Sequence, residues 1–162
     1  MRPGVRLGID VGRARVGVAR CDAGAILAVP VETVPRSPEG ESGDLARILE
    51  LADEYGAVEL VVGNPLALSG RATASTEDAV AFAARLAAAV GAERQVRLVD
   101  ERLSTVTAQQ HLRASGKKAR QQRPIVDQAA AVIILQHALD AERASGTAPG
   151  RVLPTDEGPS PL

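Results

Sequence analysis

The sequence predicts a mixed α/β domain built on a five-stranded sheet, three strands forming an antiparallel meander and two lying parallel, with helices flanking it. Three observations lead there. Val5 to Val11, Arg15 to Cys21 and Ile26 to Thr33 are short runs rich in β-branched residues, split by turns that carry Gly12 and Ala23-Gly24. The spacing of apolar residues then changes from that of a strand to that of a helix. From there on, helical and strand-like segments alternate, as they do where parallel strands are linked by crossovers.

The later elements follow in order. Leu45, Ile48, Leu49 and Ala52 recur at helical spacing and Gly56 stops the segment. Val58 to Val62 reads as a strand covered on both faces. Asn64 to Ser75, with Pro65 and Gly70, reads as a loop able to act as a lid. An alanine-rich helix is expected over Thr76 to Val90, with Phe82 and Leu86 on one face; Gly91 ends it and Gln95 to Asp100 forms the fifth strand. Ser104 reads as the N-cap of a helix reaching about Ser115, followed by a basic loop to Arg123. Pro124 is expected in the first turn of a last helix that carries Val132, Ile133 and Leu139 and ends near Gly146.

A chain of 162 residues with 45% hydrophobic content suffices for one core and is short for two. We assign residues 1–146 to one domain. The remainder, 147–162, holds Pro149, Pro154, Pro159 and Pro161 among glycines and acids, and is expected to be disordered. No segment resembles a signal peptide or approaches the roughly 20 apolar residues of a membrane span, so a cytoplasmic protein without a membrane partner is expected. Cys21, the single cysteine, excludes an intrachain disulfide and a cysteine metal cluster and reads as a small buried strand residue. The net charge of -1 offers no global attraction for a polyanion, so nucleic-acid affinity would need local segregation of charge.

The acids carry the chemical signal. Asp10, in Gly8-Ile9-Asp10-Val11-Gly12, interrupts an apolar strand, where an ionised carboxylate is costly unless a cation or several donors compensate. On this segment alone, a metal ligand and a turn cap are equally good readings. Asp100 and Glu101 stand at the carboxyl edge of the fifth strand, where sites collect in open α/β sheets, and alternation lets only one of them face a site. Asp127, expected in the first turn of the last helix, also has a structural reading as a complement to the helix dipole. Together these carboxylates form an oxygen-rich, thiol-free ligand set suited to Mg2+ or Mn2+.

Between Glu101 and Asp127 there is no acid, while Arg102, Arg113, Lys117, Lys118, Arg120 and Arg123 fall in the interval. That is the local positive surface a phosphate backbone needs. With aromatic content of 1%, Tyr55 and Phe82, the chain lacks ring platforms for stacking bases, so recognition should rest on backbone and shape. His111 and His137 have no nucleophile partner in a recognisable motif. The glycines Gly8, Gly12 and Gly17 lack the spacing of a dinucleotide fingerprint, and no phosphate-binding loop with Lys and Ser or Thr is present.

Gly8-Ile9-Asp10-Val11-Gly12, Val62-Gly63-Asn64-Pro65-Leu66, Asp100-Glu101-Arg102-Leu103-Ser104-Thr105 and Val126-Asp127-Gln128-Ala129-Ala130-Ala131 together closely resemble, in order and spacing, the YqgF family of RNase H-like proteins. The likeness covers about Val5 to Leu139. It departs from the family at Gly63-Asn64-Pro65, where Gly-Leu-Pro is common, and the fourth strand lacks the acid that many RNase H-like enzymes carry there.

The resemblance implies an RNase H-like fold and a metal-dependent endonuclease that processes the 5' end of precursor 16S rRNA in ribosome biogenesis. Asp10, Glu101 and Asp127 would be its catalytic metal ligands, holding Mg2+ or Mn2+. Two ions roughly 4 Å apart would activate water and stabilise the leaving oxygen, as in two-metal nucleases generally. Asp100 is assigned a supporting role. Arg13, Arg15, Arg102, Lys117 and Lys118 are the expected phosphate contacts. The implied partners are precursor rRNA or branched DNA, with ribosomal precursor particles as a further partner. Competing readings are a Holliday junction resolvase acting in recombination and repair, a non-catalytic RNA-binding assembly factor, and an actin-like or sugar-kinase-like enzyme, for which the chain is too short. A monomer would suffice for trimming RNA, whereas a resolvase cutting two strands would need a homodimer.

Overall fold

The computed structural model describes residues 1–65, 71–100 and 119–154, the side chains of 119–127 excepted. Strands β1 (Arg6–Val11), β2 (Arg15–Cys21) and β3 (Ala28–Pro35) form the antiparallel meander. Helix α1 (Gly43–Tyr55), strand β4 (Glu59–Asn64), helix α2 (Ala74–Val90) and strand β5 (Gln95–Asp100) follow. Helix α3 (Ala119–Ser145) and a short strand β6 (Arg151–Val152) complete the order. The sheet runs β3-β2-β1-β4-β5-β6, with β1, β4 and β5 mutually parallel and β6 antiparallel to β5. Among the described residues, no helix is long and apolar enough to cross a membrane.

Local chemistry sets the ends of these elements. Gly56 closes α1 in the left-handed conformation with φ 64°, leaving the Ala57 amide to reach the Ala52 carbonyl at 2.8 Å. Thr73 starts α2 two residues ahead of the expected boundary, because its hydroxyl accepts from the Thr76 amide while the Thr76 hydroxyl accepts from the Thr73 amide. The β2–β3 hairpin begins two residues later than expected. Asp22 there uses its carboxylate to accept the amides of Gly24, Ile26 and Leu27, which holds Ile26 and Leu27 in the turn and exposed.

Strand alternation divides the core. Leu7, Ile9, Leu60, Val62, Val96 and Leu98 face α1 and α2 and meet Leu45, Ile48, Phe82 and Leu86. The opposite face, carrying Ala19, Cys21, Val61 and Val99, receives Ala131, Ile134, Leu135, Ala138 and Leu139 of α3. Cys21 is buried, as expected, and burial raises its thiol pKa above the ordinary value. Gly8 is where α3 comes closest: a Cβ there would lie 2.7 Å from the Ala131 carbonyl oxygen and 2.8 Å from the Leu135 Cβ.

Two sequence expectations are corrected. Helix α3 begins at Ala119, so Pro124 is its sixth residue and Asp127 its ninth, not first-turn residues. A proline inside a helix loses its own amide bond and crowds the carbonyl four residues upstream, but Ala119, Arg120, Gln121, Gln122 and Arg123 are all good helix formers that carry the helix upstream of it. The segment after Gly146 was expected to be disordered, yet β6 pairs with β5 and Leu153 is buried in the core, its amide donating to the Val96 carbonyl. One leucine and a free strand edge on β5 are enough to dock it. Gly150, with φ 74°, permits the approach, since a Cβ there would collide with the Leu98 carbonyl. Residues 155–162 lie outside the described residues.

Charge is also buried at the amino-terminal edge of the parallel strands. Glu59, inside the strand expected to be covered on both faces, accepts from Arg2 at 3.1 Å and from Arg97 at 3.1 Å. Glu142 of α3 accepts from the Arg2 side chain at 2.9 Å and lies 3.7 Å from buried Arg6. Arg97 also donates to the Pro149 carbonyl, which ties the tail to the same cluster.

Two predictions follow from this packing. Gly8→Ala should destabilise the fold by about 1–3 kcal/mol through overpacking under α3; an unchanged midpoint in urea would show that the helix has room to retreat. The second concerns Glu142, whose pKa is depressed to about 2 by hydrogen bonds from Arg2. Its contribution to stability is complete above the ordinary carboxylate range and is lost as pH falls through that range towards 2. Melting curves from pH 6 to pH 2 should therefore fall less steeply in Arg2→Gln than in the wild type.

Candidate active site

Asp10 is the fifth residue of β1 and is half-buried. It shares the face of Gly8, which is the face covered by α3. In the antiparallel register Asp10 sits opposite Gly17, and Gly17 sits opposite Thr33. On the other side Ile9 pairs with Val62, so the next step along the two parallel strands places Gly63 beside Asp10. The carboxylate thus rises from the sheet with a glycine on either flank.

Helix α3 runs antiparallel to β1, because Arg6 lies against Glu142 while Gly8 lies against Ala131 and Leu135. Asp10 stands two residues beyond Gly8, about 6.6 Å along the strand. Residue 127 stands four residues before Ala131, about 6 Å along the helix axis and in the same direction. The level is fixed independently by Gln128, whose Nε2 donates to the Thr33 hydroxyl at 2.8 Å, in the row that contains Gly17 and Asp10. Helix α3 is therefore anchored over β3 one residue after Asp127.

Asp100 ends β5 on the face of Val96 and Leu98, away from α3. It does not share the face of Asp10, as alternation led us to expect. Arg13 is exposed at the tip of the β1–β2 turn, and Arg15 opens β2 opposite Pro35. Glu101, Arg102, Lys117 and Lys118 lie outside the described residues, as do the expected helix after Ser104 and residues 66–70 of the lid-like loop. Among the described residues, no three His, Cys, Asp or Glu side chains gather as a metal-binding group. Two of the three expected ligands are not among those side chains. His137 is an exposed residue of α3.

Sequence reasoning passed over the residues that build the surroundings. Gln128 and Thr33 are one example. Arg36 is another: its Nη1 donates to the Gly12 carbonyl at 2.8 Å and to Asp78 of α2 at 2.9 Å. Asn64, at the carboxyl end of β4, buries its Oδ1 with no hydrogen-bond partner among the described residues, and the neighbouring Pro65 carbonyl accepts from the Thr76 hydroxyl at 2.8 Å. None of these has a sequence signature, because each depends on pairing between segments far apart in the chain.

With this geometry in place, comparison with known proteins is decisive. The family described as "RuvX: Holliday junction resolvase" matches residues 4–141. The chain belongs to the RuvX family. This is the YqgF group that its motifs resemble. Curated relatives named "Putative pre-16S rRNA nuclease" include one from Clavibacter michiganensis, 63% identical over 154 residues, covering 95% of this chain and 94% of that protein. Another, from Leifsonia xyli, is 60% identical and covers 98% of this chain and all of its own.

Among solved structures, Thermus thermophilus RuvC in complex with a Holliday junction substrate superposes with a TM-score of 0.56 at 25% identity, over 92% of this chain and 99% of that one. A second Thermus thermophilus RuvC structure, at 22% identity and TM-score 0.50, shares the fold. The RNase H-like architecture is thereby established, with six strands where five were expected. Both the family description and the relatives' names are those of enzymes that cleave nucleic acid.

The anchoring of α3 can be tested directly. Gln128→Leu should cost about 1 kcal/mol, the ordinary worth of one such bond. It should also lower any cleavage activity at temperatures where the variant remains folded. Activity equal to wild type would separate the anchor from the site.

Proposed function

We propose that this RuvX-family chain is a divalent-metal-dependent endonuclease of precursor 16S rRNA, with Asp10, Glu101 and Asp127 as its metal-holding residues. One observation carries the reading: Asp10 projects between two glycines on the face covered by α3, at the level of residue 127. Residue 127 lies one helical turn before Ala131, which is buried against the sheet. Val99, the next-to-last residue of β5, faces α3, which puts the carboxyl end of that strand beside the same helix.

The turn-cap reading of Asp10 is the weaker one. The β1–β2 turn is closed by the Gly12 amide donating to the Arg15 carbonyl at 2.9 Å and is clamped from outside by Arg36.

The residues fit Mg2+ or Mn2+, since the proposed ligand set is all oxygen and the flanking glycines leave space for the waters that hard ions retain. When bound, such ions would supply the activated water and neutralise charge at the phosphate and the leaving oxygen. Asp10, Glu101 and Asp127 would hold them. Arg13, exposed beside Asp10, with Arg15, Arg102, Lys117 and Lys118, would hold the flanking phosphates and orient the scissile one. Arg2, Arg6 and Arg97 take no part, because the buried carboxylates of Glu59 and Glu142 already engage them.

A branched DNA substrate is the second reading. It is favoured by the family's description and by the junction-bound RuvC to which the fold is similar at 25% identity. Precursor rRNA is preferred because relatives at 60% identity and above, aligned over nearly their whole length, carry that name. The protein is expected in the cytoplasm, where both substrates occur, as a monomer on RNA or a homodimer on junctions.

The deciding experiment incubates wild type and Asp10→Asn with labelled precursor 16S rRNA and with a four-way DNA junction, each in magnesium, manganese or chelator. Metal-dependent cutting of the RNA, reduced at least 100-fold in Asp10→Asn, is expected. Cutting of the junction alone would transfer the reading to resolution. Binding without cutting of either would make the chain an assembly factor.

A further inference from the structure

The turn that follows Asp10 is held from outside by one side chain. Arg36, the residue after β3, contributes twice: its backbone amide donates to the Ala14 carbonyl at 2.9 Å and its Nη1 to the Gly12 carbonyl at 2.8 Å. Both ends of the exposed Gly12–Ala14 tip are thereby fixed from β3. The same guanidinium makes a forked pair with Asp78 of α2, at 2.9 and 3.1 Å. It lies 5.0 Å over the Phe82 ring and 3.6 Å from buried Asp44 of α1. Asp44 is held in turn by the Ser37 amide at 3.1 Å, and its own amide donates to the Ser37 hydroxyl.

This arrangement leaves Arg36 nothing to offer a substrate. Its side chain is 18% exposed, Nη1 and Nη2 are engaged, and Nε is buried facing Asp44. Lysine could not replace it, because an ammonium is a point charge and cannot serve Gly12 and Asp78 in one plane. Arg13, at the tip of the turn, also helps hold the Asp78 carboxyl below its ordinary pKa, so the turn, Arg36 and the start of α2 form one electrostatic unit.

We propose that Arg36 is a positioning residue for cleavage, clamping the Gly12–Arg15 turn to α2 so that Asp10 and Arg13 are presented in fixed geometry. This role rests on the nuclease reading above. Arg36 acts through the turn and does not touch the nucleic acid.

The test uses the full chain as wild type, Arg36→Lys, Asp78→Asn and Arg13→Gln. In Arg36→Lys, amide exchange at Gly12 and at residue 36 should accelerate at least tenfold, and kcat on the cleaved substrate should fall by at least tenfold. The slope of log binding constant against log salt should stay at the wild-type value, whereas Arg13→Gln should reduce it by about one. Asp78→Asn, on the outer side of the clamp, should shift exchange and kcat in the same direction by less. It should add little in combination with Arg36→Lys. It also guards against an Arg36 variant that fails to fold. Unchanged exchange at Gly12, unchanged kcat, or a salt slope reduced by about one in Arg36→Lys would each overturn the positioning role. A wild type that cuts nothing would overturn the nuclease reading itself, and is distinguished from those outcomes by the wild-type lane.

Discussion

The structure depends on one close approach, that of α3 onto β1 at Gly8. Any larger residue would push the helix off the sheet, since the space for a Cβ is already taken by the Ala131 carbonyl and Leu135. With the helix seated there, three polar anchors fix its position along and across the sheet. Glu142 meets Arg2 and Arg6 at one end, Gln136 accepts from the Ala28 amide and donates to the Ile26 carbonyl in the middle, and Gln128 reaches Thr33 at the other. From residue 128 to residue 142 these anchors span about 21 Å of helix. A helix fixed at three points along that length cannot slide or roll without losing several bonds. The level of residue 127 against Asp10 is therefore a consequence of packing remote from both.

The two edges of the parallel strands have been given opposite tasks. At the amino-terminal edge, Arg2, Arg6 and Arg97 converge on Glu59 and Glu142, and the Arg2–Glu142 pairing is strong enough to hold the carboxyl near pKa 2. Cations so engaged are poor phosphate ligands, because a phosphate would have to displace buried carboxylates. At the carboxyl edge, Arg13 is exposed at the tip of a turn and Asp10 stands between residues without side chains. Charge is neutralised where the fold needs rigidity and left accessible where a polyanion could approach.

Much of this was legible in the sequence. The meander, α1, β4 and β5 were readable because each is a local pattern: apolar spacing with a glycine or proline at its end. The site was legible only as residue types, carboxylates at strand ends, since face and level depend on register. Asp100 could be set aside by alternation alone, and the structure places it on the far face. The start of α3 was misjudged because a proline was weighted above five helix-favouring residues before it. The stretch from Thr147 to Leu153 was misjudged because composition averages away a single leucine. Arg36, Gln128 and Glu59 were invisible, as nothing local distinguishes an arginine, glutamine or glutamate that pairs across the sheet from one in solvent.

The glycines around Asp10 bear on why a catalytic reading and a structural one diverge here. Asp10 stands on the strand between two positions without side chains, opposite Gly17 and beside Gly63, and ahead of a turn closed by the Gly12 amide on the Arg15 carbonyl. Strands favour β-branched residues over glycine. Keeping glycine there sacrifices strand stability on both sides of a carboxylate. That sacrifice is intelligible if hydrated ions and phosphate oxygens have to fit beside it, which is the role proposed for Asp10.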